Sequence, residues 1–420
     1  MKKKRVYLDY AATTPVDLAV FAAMKPYFSQ KFGNAMSVHG FGQTAQKAID
    51  KARSQAGEFF HCQPQEVIFT SGATESNNLA VKGVVKSYYS KFYPVKSARG
   101  GAKQFNRVTK KPHLITTAFE HHCVLSACRA MEKENLAEAT YIKPDKNGLI
   151  KIGDIKKAIK PNTILISVMY VNNEIGTVQP IAKIGKLVKN INSKKPESAY
   201  KIIFHTDATQ AVNYFDCDVE KLGVDLLSMS AHKIYGPKGV GALYIKKGTP
   251  IRKIQDGGDQ EYKMRSGTHN VPGIVSLGKA LELVTRNAKR ETRKIEELRD
   301  YLIKRILKEV PKSYLNGSRE YRSPNNANFR FDNVEGEGLI LSLDMEGIAG
   351  STGSACSSGA LTPSHVLLSL GLKPQQVHGS LRLTLGKYTT KQEIDFAVSR
   401  IKETMSRLRK ISGNVLQEFK

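Results

Sequence analysis

The chain has 420 residues, and 65 lysines and arginines against 38 aspartates and glutamates give it a formal net charge of +27 at pH 7. No stretch approaches the roughly 18 unbroken apolar residues that a membrane helix needs, which argues against a membrane protein. Basic residues are spread along the whole chain without aromatic interleaving, so direct binding of nucleic acid is not expected. The length predicts two packed domains, or one large domain with a smaller one.

The five cysteines are an odd number in a large chain, so at least one thiol is unpaired. This usage favours a reducing compartment over a disulfide framework. The short basic start, Met1 to Arg5, runs directly into polar residues and does not resemble a transit peptide. We therefore expect a cytoplasmic protein.

Short apolar runs alternate with longer amphipathic stretches through the first two thirds of the chain. Four of these runs have the length and composition of buried strands: Val67–Thr70, His113–Thr116, Ile164–Val168 and Ile202–His205. Because helix-length segments separate them, they predict an α/β fold with a mainly parallel sheet covered by helices.

Each predicted strand runs directly into a cluster of polar residues. The four clusters are Ser71–Asn77, Glu120–His122, Asn172–Glu174 and Asp207–Gln210. Because the carboxyl ends of parallel strands meet at one edge of a sheet, the clusters predict a single shared site.

The first cluster contains small residues that let a phosphate approach a helix N-terminus. Ser71-Gly72-Ala73-Thr74 follows a strand and opens a helix that we expect from Glu75 to Gly83. Backbone N–H groups and the helix dipole favour an anion at such a terminus. An ordinary helix cap formed by Ser71 or Thr74 explains the same residues equally well.

His121 in the second cluster is suited to stacking on a flat cofactor ring or to moving protons, although a single histidine is more often structural. The run His121-His122-Cys123 with Cys128 suggests zinc as an alternative. Adjacent side chains point in different directions, however, and no second ligand pair with metal spacing follows. We therefore expect no metal site.

Asp207 ends the fourth predicted strand, where a carboxylate either caps the following turn or pairs with a pyridinium nitrogen. Two opposite charges about 4 Å apart attract by about 4 kcal/mol at an effective dielectric near 20, enough to decide whether such a ring is protonated. Asp207-Ala208-Thr209-Gln210 precedes Ser230-Ala231-His232-Lys233 in the chain, and this order favours the pyridinium interpretation.

Lys233 lies where the chain leaves another apolar run, Val224–Leu227, just before the tight loop Gly236–Gly241. Alone, it would be interpreted as a solvated lysine. Together with the upstream clusters it is a candidate imine-forming nucleophile, because desolvation or a nearby cation lowers the pKa of a lysine enough to leave its amine neutral part of the time.

Two other regions fall outside this pattern. The segment 97–112 has the composition of a polar surface insertion. Residues 286–310 predict a long charged helix, and the strand-like pieces Asn328–Phe331 and Ser380–Thr384 indicate a smaller domain after it.

Cys356 stands inside Gly350–Gly359, a stretch of small and flexible residues. This composition predicts an exposed, mobile loop. A cysteine buried for packing is not expected in such a loop, so Cys356 is the candidate reactive thiol. The remaining cysteines are interpreted as structural: Cys62, Cys123, Cys128 and Cys217.

Seven ordered motifs span nearly the whole chain: Tyr7–Pro15, Phe69–Asn77, Val171–Gly176, His205–Gln210, Ser230–Gly239, Arg265–Thr268 and Gly353–Cys356. Together they resemble the cysteine desulfurases of the class V aminotransferase group, of the iron–sulfur cluster and nitrogen-fixation type. The segment 256–263 departs from the usual family pattern.

The resemblance implies the type I fold of pyridoxal-phosphate enzymes. It predicts a large α/β domain, residues 16–285, with a mainly parallel seven-stranded sheet. It predicts a smaller α+β domain formed by residues 1–15 and 286–420, which carries a mobile cysteine loop at about 350–364. It also implies a homodimer.

The resemblance implies pyridoxal 5'-phosphate as the cofactor, with Lys233 joined to it as an imine. The other implied cofactor contacts are Asp207 to the ring nitrogen, Gln210 to the ring hydroxyl, Asn173 and a stacked His121, and Ala73, Thr74, Ser230 and His232 to the phosphate, with Thr268 from the second subunit. His121 would also act as acid or base.

The substrate implied by the resemblance is L-cysteine, with Asn173 and Arg382 on its carboxylate. The planar guanidinium of arginine suits that task. The thiolate of Cys356 would attack the substrate sulfur, leave a persulfide and release L-alanine. The stretch from Cys356 to Leu367 resembles the long-loop branch, which passes sulfur directly to an iron–sulfur scaffold; another sulfur acceptor, such as the machinery of tRNA thiolation, stays open.

Other reactions on the same scaffold are alternatives: selenocysteine lyase, cysteine sulfinate desulfinase and aminotransferase. Cys356 discriminates among them, since transamination needs no thiol. A non-catalytic, basic docking subunit is a further alternative, but such a chain has no physical need for Lys233, Asp207 and Cys356 together.

Overall fold

The structure is a computed structural model that describes residues 5–92, 110–197, 199–352 and 363–418. Most of the predicted insertion 97–112 lies outside the described residues, and so does Cys356. Within the described ranges, no helix has both the length and the apolar character needed to cross a membrane.

The β-strands of the described residues are numbered in chain order. They are β1 Val6–Tyr7, β2 Val67–Thr70, β3 His113–Thr117, β4 Glu138–Ile142, β5 Thr163–Ser167, β6 Ile203–Asp207, β7 Leu226–Ser230, β8 Gly241–Ile245, β9 Ser313–Leu315, β10 Asn326–Phe331, β11 Ile348–Ala349 and β12 Ser380–Thr384.

The α-helices are numbered in the same way. They are α1 Leu18–Met24, α2 Pro26–Ser29, α3 Gly40–Phe60, α4 Ala73–Phe92, α5 His122–Lys133, α6 Ile152–Ala158, α7 Ile181–Lys194, α8 Val219–Leu222, α9 Val271–Glu309, α10 Gly336–Met345, α11 His365–Ser369, α12 Pro374–His378 and α13 Lys391–Glu418.

Seven strands form the central sheet in the order β2-β8-β7-β6-β5-β3-β4. Within this sheet, β8 runs against the direction of the other strands, so its pairings with β2 and β7 are antiparallel and the other pairings are parallel. Every residue of β3, β5, β6 and β7 is buried, as expected for strands covered by helices on both faces. The predicted α/β fold with a mainly parallel seven-stranded sheet is confirmed.

The predicted strands agree closely with the structure. Val67–Thr70 and Ser380–Thr384 match β2 and β12, and the others differ by one or two residues at one or both ends. The long charged helix was predicted too short, because α9 already begins at Val271, behind an N-cap formed by Asn270. Its first turns are apolar and buried, with Ile274 and Leu277 in the core, so they lack the charged character of the later turns.

A second, smaller set of strands lies beyond α9. The antiparallel sheet β12-β10-β9 and the parallel pair β1–β11 pack with α9, α10 and α13 around their own buried cluster. That cluster joins Val6 and Leu8 from the chain start to residues between Ile295 and Met405. The main-sheet cluster takes in Val366 and Leu367 from α11.

Candidate functional site

The carboxyl ends of the parallel strands open into a cavity of about 510 Å³. Its lining brings together all but two of the site residues predicted from the sequence: Ala73, Thr74, His121, Asn173, Asp207, Gln210, Ser230, His232, Lys233 and Arg382. A larger cleft of about 1070 Å³ opens at the amino ends of β2 and β7, and none of these residues lines it.

Lys233 stands in a short helical turn, Ala231–Lys233, directly after β7. Its Nζ donates hydrogen bonds to the carbonyl oxygens of Ala11 (2.5 Å) and Ala12 (2.6 Å). Gln210 donates to the carbonyl of Ala11 as well, at 3.0 Å. The segment that follows β1 therefore fixes the position of the amine.

Asp207 is the last residue of β6 and is only 5% exposed. Its Oδ2 accepts a hydrogen bond from Asn77 Nδ2 at 2.7 Å, and its Oδ1 accepts one from the backbone N–H of Thr209 at 2.9 Å. Both donors are neutral groups. Because these donors carry no charge, the carboxylate remains available to pair with a positively charged group in the cavity.

His121 is the N-cap of α5, where its Nδ1 accepts a hydrogen bond from the backbone N–H of Cys123 at 3.2 Å. The Cys123 thiol lies 2.9 Å from the same nitrogen. Burial, and secondarily the positive charge of Lys233, hold the pKa of His121 below its usual range, with Asp207 acting against them. The imidazole is therefore neutral near pH 7.

The N-terminus of α4 borders the same cavity. The first helical hydrogen bond runs from the Ser76 N–H to the Gly72 carbonyl at 3.1 Å, so the N–H groups of Ala73 and Thr74 precede it and are available to an anion. Gly72 has φ of +150°, and a Cβ on Gly241 would lie 2.7 Å from the Gly72 Cα. Gly241 is therefore needed for this close approach of β8 to the helix terminus, whereas Gly72 is favoured by its backbone conformation.

Ser230 and His232 face this cavity from the end of β7. His232 Nδ1 lies 3.2 Å from Thr13 Oγ1. Burial, together with the charges of Lys233 and Lys238, lowers the pKa of His232 to about 4, so its ring is neutral and can donate one N–H. Lys238 also lines the cavity and adds a positive charge that we did not predict from the sequence.

Arg382 lies on β12 and is 4% exposed. Its guanidinium donates to Asp9 Oδ1 and to the Asn173 carbonyl, both at 2.9 Å. Its Nε has no hydrogen-bond partner among the described residues, and neither does Asn173 Oδ1. The two side chains therefore keep a donor and an acceptor for a bound molecule.

Both ends of the segment that carries Cys356 are fixed beside the cavity. On the amino side, Ser351 pairs with Arg382 through backbone hydrogen bonds of 2.6 and 3.1 Å. On the carboxyl side, Ser364 Oγ donates to Glu174 Oε2 at 2.5 Å and His365 Nε2 to the Glu120 carbonyl at 2.9 Å. Cys356 itself is outside the described residues.

Thr268 is exposed and does not line the cavity. It follows Arg265, which donates to Glu75 Oε1 at 2.9 Å and so connects this segment to the first turn of α4. In a single chain, the position of Thr268 leaves it open to a second molecule.

The chain matches the family described as Aminotransferase class-V over residues 6–92 and 98–396. A protein of Dictyoglomus turgidum named cysteine desulfurase IscS is 47% identical over 410 residues, covering 98% of this chain and 97% of that protein. The cysteine desulfurase IscS of Methanosarcina thermophila is 43% identical over 419 residues, covering 100% and 96%.

The chain belongs to the cysteine desulfurases of the class-V aminotransferase family. The resemblance predicted from the motifs is thus confirmed, and so is a pyridoxal-phosphate-dependent enzyme.

Solved structures agree with this cysteine desulfurase assignment. A NifS-like protein is 34% identical with a TM-score of 0.84, and the match covers 96% of this chain and all of that one, 100%. A structure described as SspA in complex with cysteine is also 34% identical, with a TM-score of 0.76 and coverage of 92% and 100%.

The cavity of this cysteine desulfurase fits pyridoxal 5'-phosphate chemically. The Asp207 carboxylate suits a protonated ring nitrogen, the Lys233 amine suits the aldehyde carbon, and the N-terminus of α4 suits the phosphate. Thr209 Oγ1 lines the cavity and is buried without a hydrogen-bond partner in the described residues, as expected where a cofactor supplies that partner.

In the described ranges, no group of three or more His, Cys, Asp or Glu side chains is placed to hold an ion. His121, His122 and Cys123 are adjacent as the sequence indicates, but His121 and Cys123 are joined by a hydrogen bond.

Besides Lys238, sequence reasoning missed three contributors to the site. Asp9 holds Arg382, although its motif was recognised, and Asn77 holds Asp207 from the last position of the first polar cluster. Cys123 was interpreted as structural, yet it lines the cavity beside His121. Its position two residues after a helix-capping histidine was the only local signal.

Proposed function

We propose that this cysteine desulfurase converts L-cysteine to L-alanine and transfers the substrate sulfur to Cys356 as a persulfide. The observation that carries the proposal is the placement of Lys233, Asp207 and Arg382 around one cavity whose rim holds both ends of the Cys356 segment. The described residues on both sides of that segment, Ser351 and Ser364, are thus anchored near the guanidinium that would hold the substrate.

Bound pyridoxal 5'-phosphate would supply an electron sink that weakens the bonds around the substrate α-carbon. Lys233 would hold it covalently and Asp207 would keep its ring nitrogen protonated, while Gln210 would contact the ring hydroxyl. The phosphate would be held by Ala73, Thr74, Ser230 and His232, with Thr268 contributed by a second subunit. The charges and donors that line the cavity support these assignments for each of these residues except Thr268, which does not line it.

Arg382 and Asn173 would bind the substrate carboxylate as donors, through the Nε–H of the first, which has no partner among the described residues, and the amide N–H groups of the second. His121 would stack on the cofactor ring and carry protons near the substrate. Its neutral imidazole can both accept and donate a proton at pH 7, which suits acid–base work.

Sulfur transfer itself would be carried out by Cys356. Its thiolate would attack the substrate sulfur, forming an S–S bond as the C–S bond breaks; the electron pair of the broken bond would stay on the carbon, which would take up a proton to give L-alanine. The loop, about 350–364, would then present the persulfide to an iron–sulfur scaffold or to another sulfur acceptor such as that for tRNA thiolation.

A cytoplasmic homodimer remains part of this proposal, as does the division into a large domain, 16–285, and a smaller domain from 1–15 and 286–420. The separate apolar clusters around the main sheet and around α9, β10 and α13 support two domains. The exposed position of Thr268 supports a second subunit.

The test is to incubate purified protein with L-cysteine and a thiol reductant and to measure sulfide and alanine. We expect equal amounts of the two products from the wild type, loss of both in Lys233→Ala together with the yellow colour, and loss of sulfide in Cys356→Ala with the colour kept. Cys62→Ala, which removes a partly exposed thiol elsewhere in the chain, is the matched control. Full sulfide production by Cys356→Ala would contradict the proposal.

A further inference from the structure

Four side chains at the cavity form one hydrogen-bonded chain. Asn77 Nδ2 donates to Asp207 Oδ2 at 2.7 Å and to Cys123 Sγ at 3.0 Å. Cys123 Sγ lies 2.9 Å from His121 Nδ1. These hydrogen bonds link Asp207, the carboxylate assigned to the cofactor ring nitrogen, with His121, the histidine assigned to the ring face.

The proton positions along this chain follow from the helix cap. The backbone N–H of Cys123 has only one role, that of a donor, and it points at His121 Nδ1 from 3.2 Å. Nδ1 must therefore present its lone pair, and the proton of the neutral ring is on Nε2. The thiol next to this lone pair can only donate to it.

The surroundings keep the thiol in the form that donates. Burial, reinforced by the negative charge of Asp207, raises the pKa of Cys123 to about 12, so the sulfur keeps its proton near pH 7. Asn77 donates to the sulfur from its other side, which strengthens the S–H as a donor because linked hydrogen bonds polarise one another.

We propose that Asn77 and Cys123 are positioning residues that hold His121 in the tautomer with its proton on Nε2 and fix its ring orientation relative to Asp207. The inference rests on the role proposed for His121. It assigns Cys123, a thiol that lines the cavity, a role as a hydrogen-bond donor in which its sulfur does not react. A thiol that is buried, protonated and held between two partners is not a second sulfur acceptor.

The groups around His121 decide how its protonation responds to this arrangement. Asp207 favours the charged ring, whereas Lys233, His122 and His365 disfavour it. Donors to Nδ1 stabilise the neutral ring, so they act in the same direction as Lys233 and the two histidines. Removing the thiol donor should therefore raise the pH at which His121 takes up a second proton.

The first test is direct and uses the wild-type holoenzyme. Protein labelled with ¹⁵N in its histidine rings gives separate nitrogen shifts for protonated and unprotonated ring positions, and a His121→Gln variant assigns the signal. We expect an unprotonated Nδ1 and a protonated Nε2. A protonated Nδ1 overturns the proposal without the use of any Cys123 variant.

The second test compares Cys123→Ala, Cys123→Ser and Cys128→Ala. Cys128 is a buried thiol on the same helix, and it does not line the cavity. In Cys123→Ala we expect the His121 titration midpoint to rise by about half a pH unit to one unit, and kcat to fall about three- to tenfold with KM for cysteine little changed. Ser retains a donor and should restore most of both values, while Cys128→Ala should leave both unchanged.

A Cys123→Ala titration that moves no more than that of Cys128→Ala overturns the proposal. Failure of the proposed function has a different signature. If His121→Gln kept full activity, the acid–base role of His121 would be wrong, whereas the tautomer of His121 would still be decided by the nitrogen shifts.

Discussion

The guanidinium of Arg382 is fixed before any substrate arrives. Asp9 and the Asn173 carbonyl each hold one of its terminal nitrogens at 2.9 Å, and burial excludes most water. A planar group held in this way needs little further ordering to bind a carboxylate, because its rotamer freedom has already been lost.

For Arg382→Lys we expect KM for cysteine to rise about ten- to hundredfold, because the ammonium cannot both keep the Asp9 contact and offer a second donor to the substrate. Alanine formation measured against cysteine concentration gives KM and kcat. Arg330→Lys, on the neighbouring strand β10 and outside the cavity, is the control. An unchanged KM in Arg382→Lys would remove the substrate role of this residue.

Lys312 is exposed and has a left-handed backbone with φ of +52° in the turn between α9 and β9. Glycine adopts this conformation without the steric cost of a Cβ, so Lys312→Gly should stabilise the fold by about 1 kcal/mol. Lys304→Gly, an exposed lysine inside α9, should destabilise it by about 1 kcal/mol. Urea unfolding of both variants measures the two changes in the free energy of unfolding, which should have opposite signs.

At the level of single residues, the sequence predicts those functional groups whose chemical type indicates their role in the site. Lys233 and Asp207 were found because an amine and a carboxylate at strand ends, in this order, suit one cofactor ring. Asn77 and Cys123 were not found because their contact links residues far apart in the chain, across α4 and α5. Such a contact depends on how the two helices pack.

Among the elements, the short turn Glu261–Lys263 is the most strained. Three successive non-glycine residues have positive φ: 46° at Glu261, 54° at Tyr262 and 67° at Lys263. Such positions cost about 1–3 kcal/mol each. Glu261 compensates from within the core, where it accepts two hydrogen bonds of 2.8 Å from Arg53 and one of 2.9 Å from the Phe69 N–H.

This turn makes stability depend on acidic pH. Burial opposes ionisation of Glu261, but hydrogen bonds from His269 and Arg53 outweigh it and lower its pKa from 4.5 to about 2. A carboxyl whose pKa falls on folding stabilises the fold above its unfolded value and loses that contribution as the pH falls through the folded value. The stabilisation from Glu261 is thus complete above about pH 5.

We expect the difference in free energy of unfolding between the wild type and Glu261→Gln to be constant above about pH 5 and to shrink as the pH falls towards 3. Urea unfolding over this range measures it. Glu320→Gln, which removes an exposed carboxyl, is the control. A difference that stays constant down to pH ~3 would show that the ion pair with Arg53 does not stabilise the fold.

Element boundaries followed from the sequence where burial was uniform. β2 and β12 are buried throughout and end at clear changes of composition, so their bounds were predicted correctly. The start of α9 was missed because its apolar first part packs on α3 and α1 and its charged part does not. One helix that passes from the core of the main sheet to the second cluster changes its pattern midway.

For the molecule as a whole, exposed apolar side chains concentrate near the chain start. Leu18, Phe21, Phe28, Phe32, Met36, Val38 and Phe41 are each more than half exposed in the single chain. Phe32 and Phe41 pack against each other with ring centroids 5.6 Å apart, yet both stay open to solvent. Apolar surface of this kind marks a protein contact, and in the proposed homodimer the second subunit would cover it.

The charge of the chain opposes that contact. Two copies with a net charge of +27 each repel one another, and salt reduces the repulsion because the screening length falls to about 8 Å at 0.15 M ionic strength. Apolar burial must therefore provide the attraction between subunits, at about 1.5–3 kcal/mol for each large side chain that is fully covered. Added salt should strengthen the dimer, whereas it should weaken binding of an acidic sulfur acceptor.

Val38→Asp places a charge at the most exposed of these apolar positions, 89% exposed in the single chain. If residues 18–41 form the subunit contact, the aspartate must be desolvated on association, and the dissociation constant of the dimer should rise about a hundredfold or more. Sedimentation equilibrium at several salt concentrations measures it. Leu341→Asp, on α10 and 66% exposed, should leave the dimer intact. Dissociation by Leu341→Asp and not by Val38→Asp would place the subunit contact at α10 instead of residues 18–41, because only a side chain that the contact covers has to lose its hydration water.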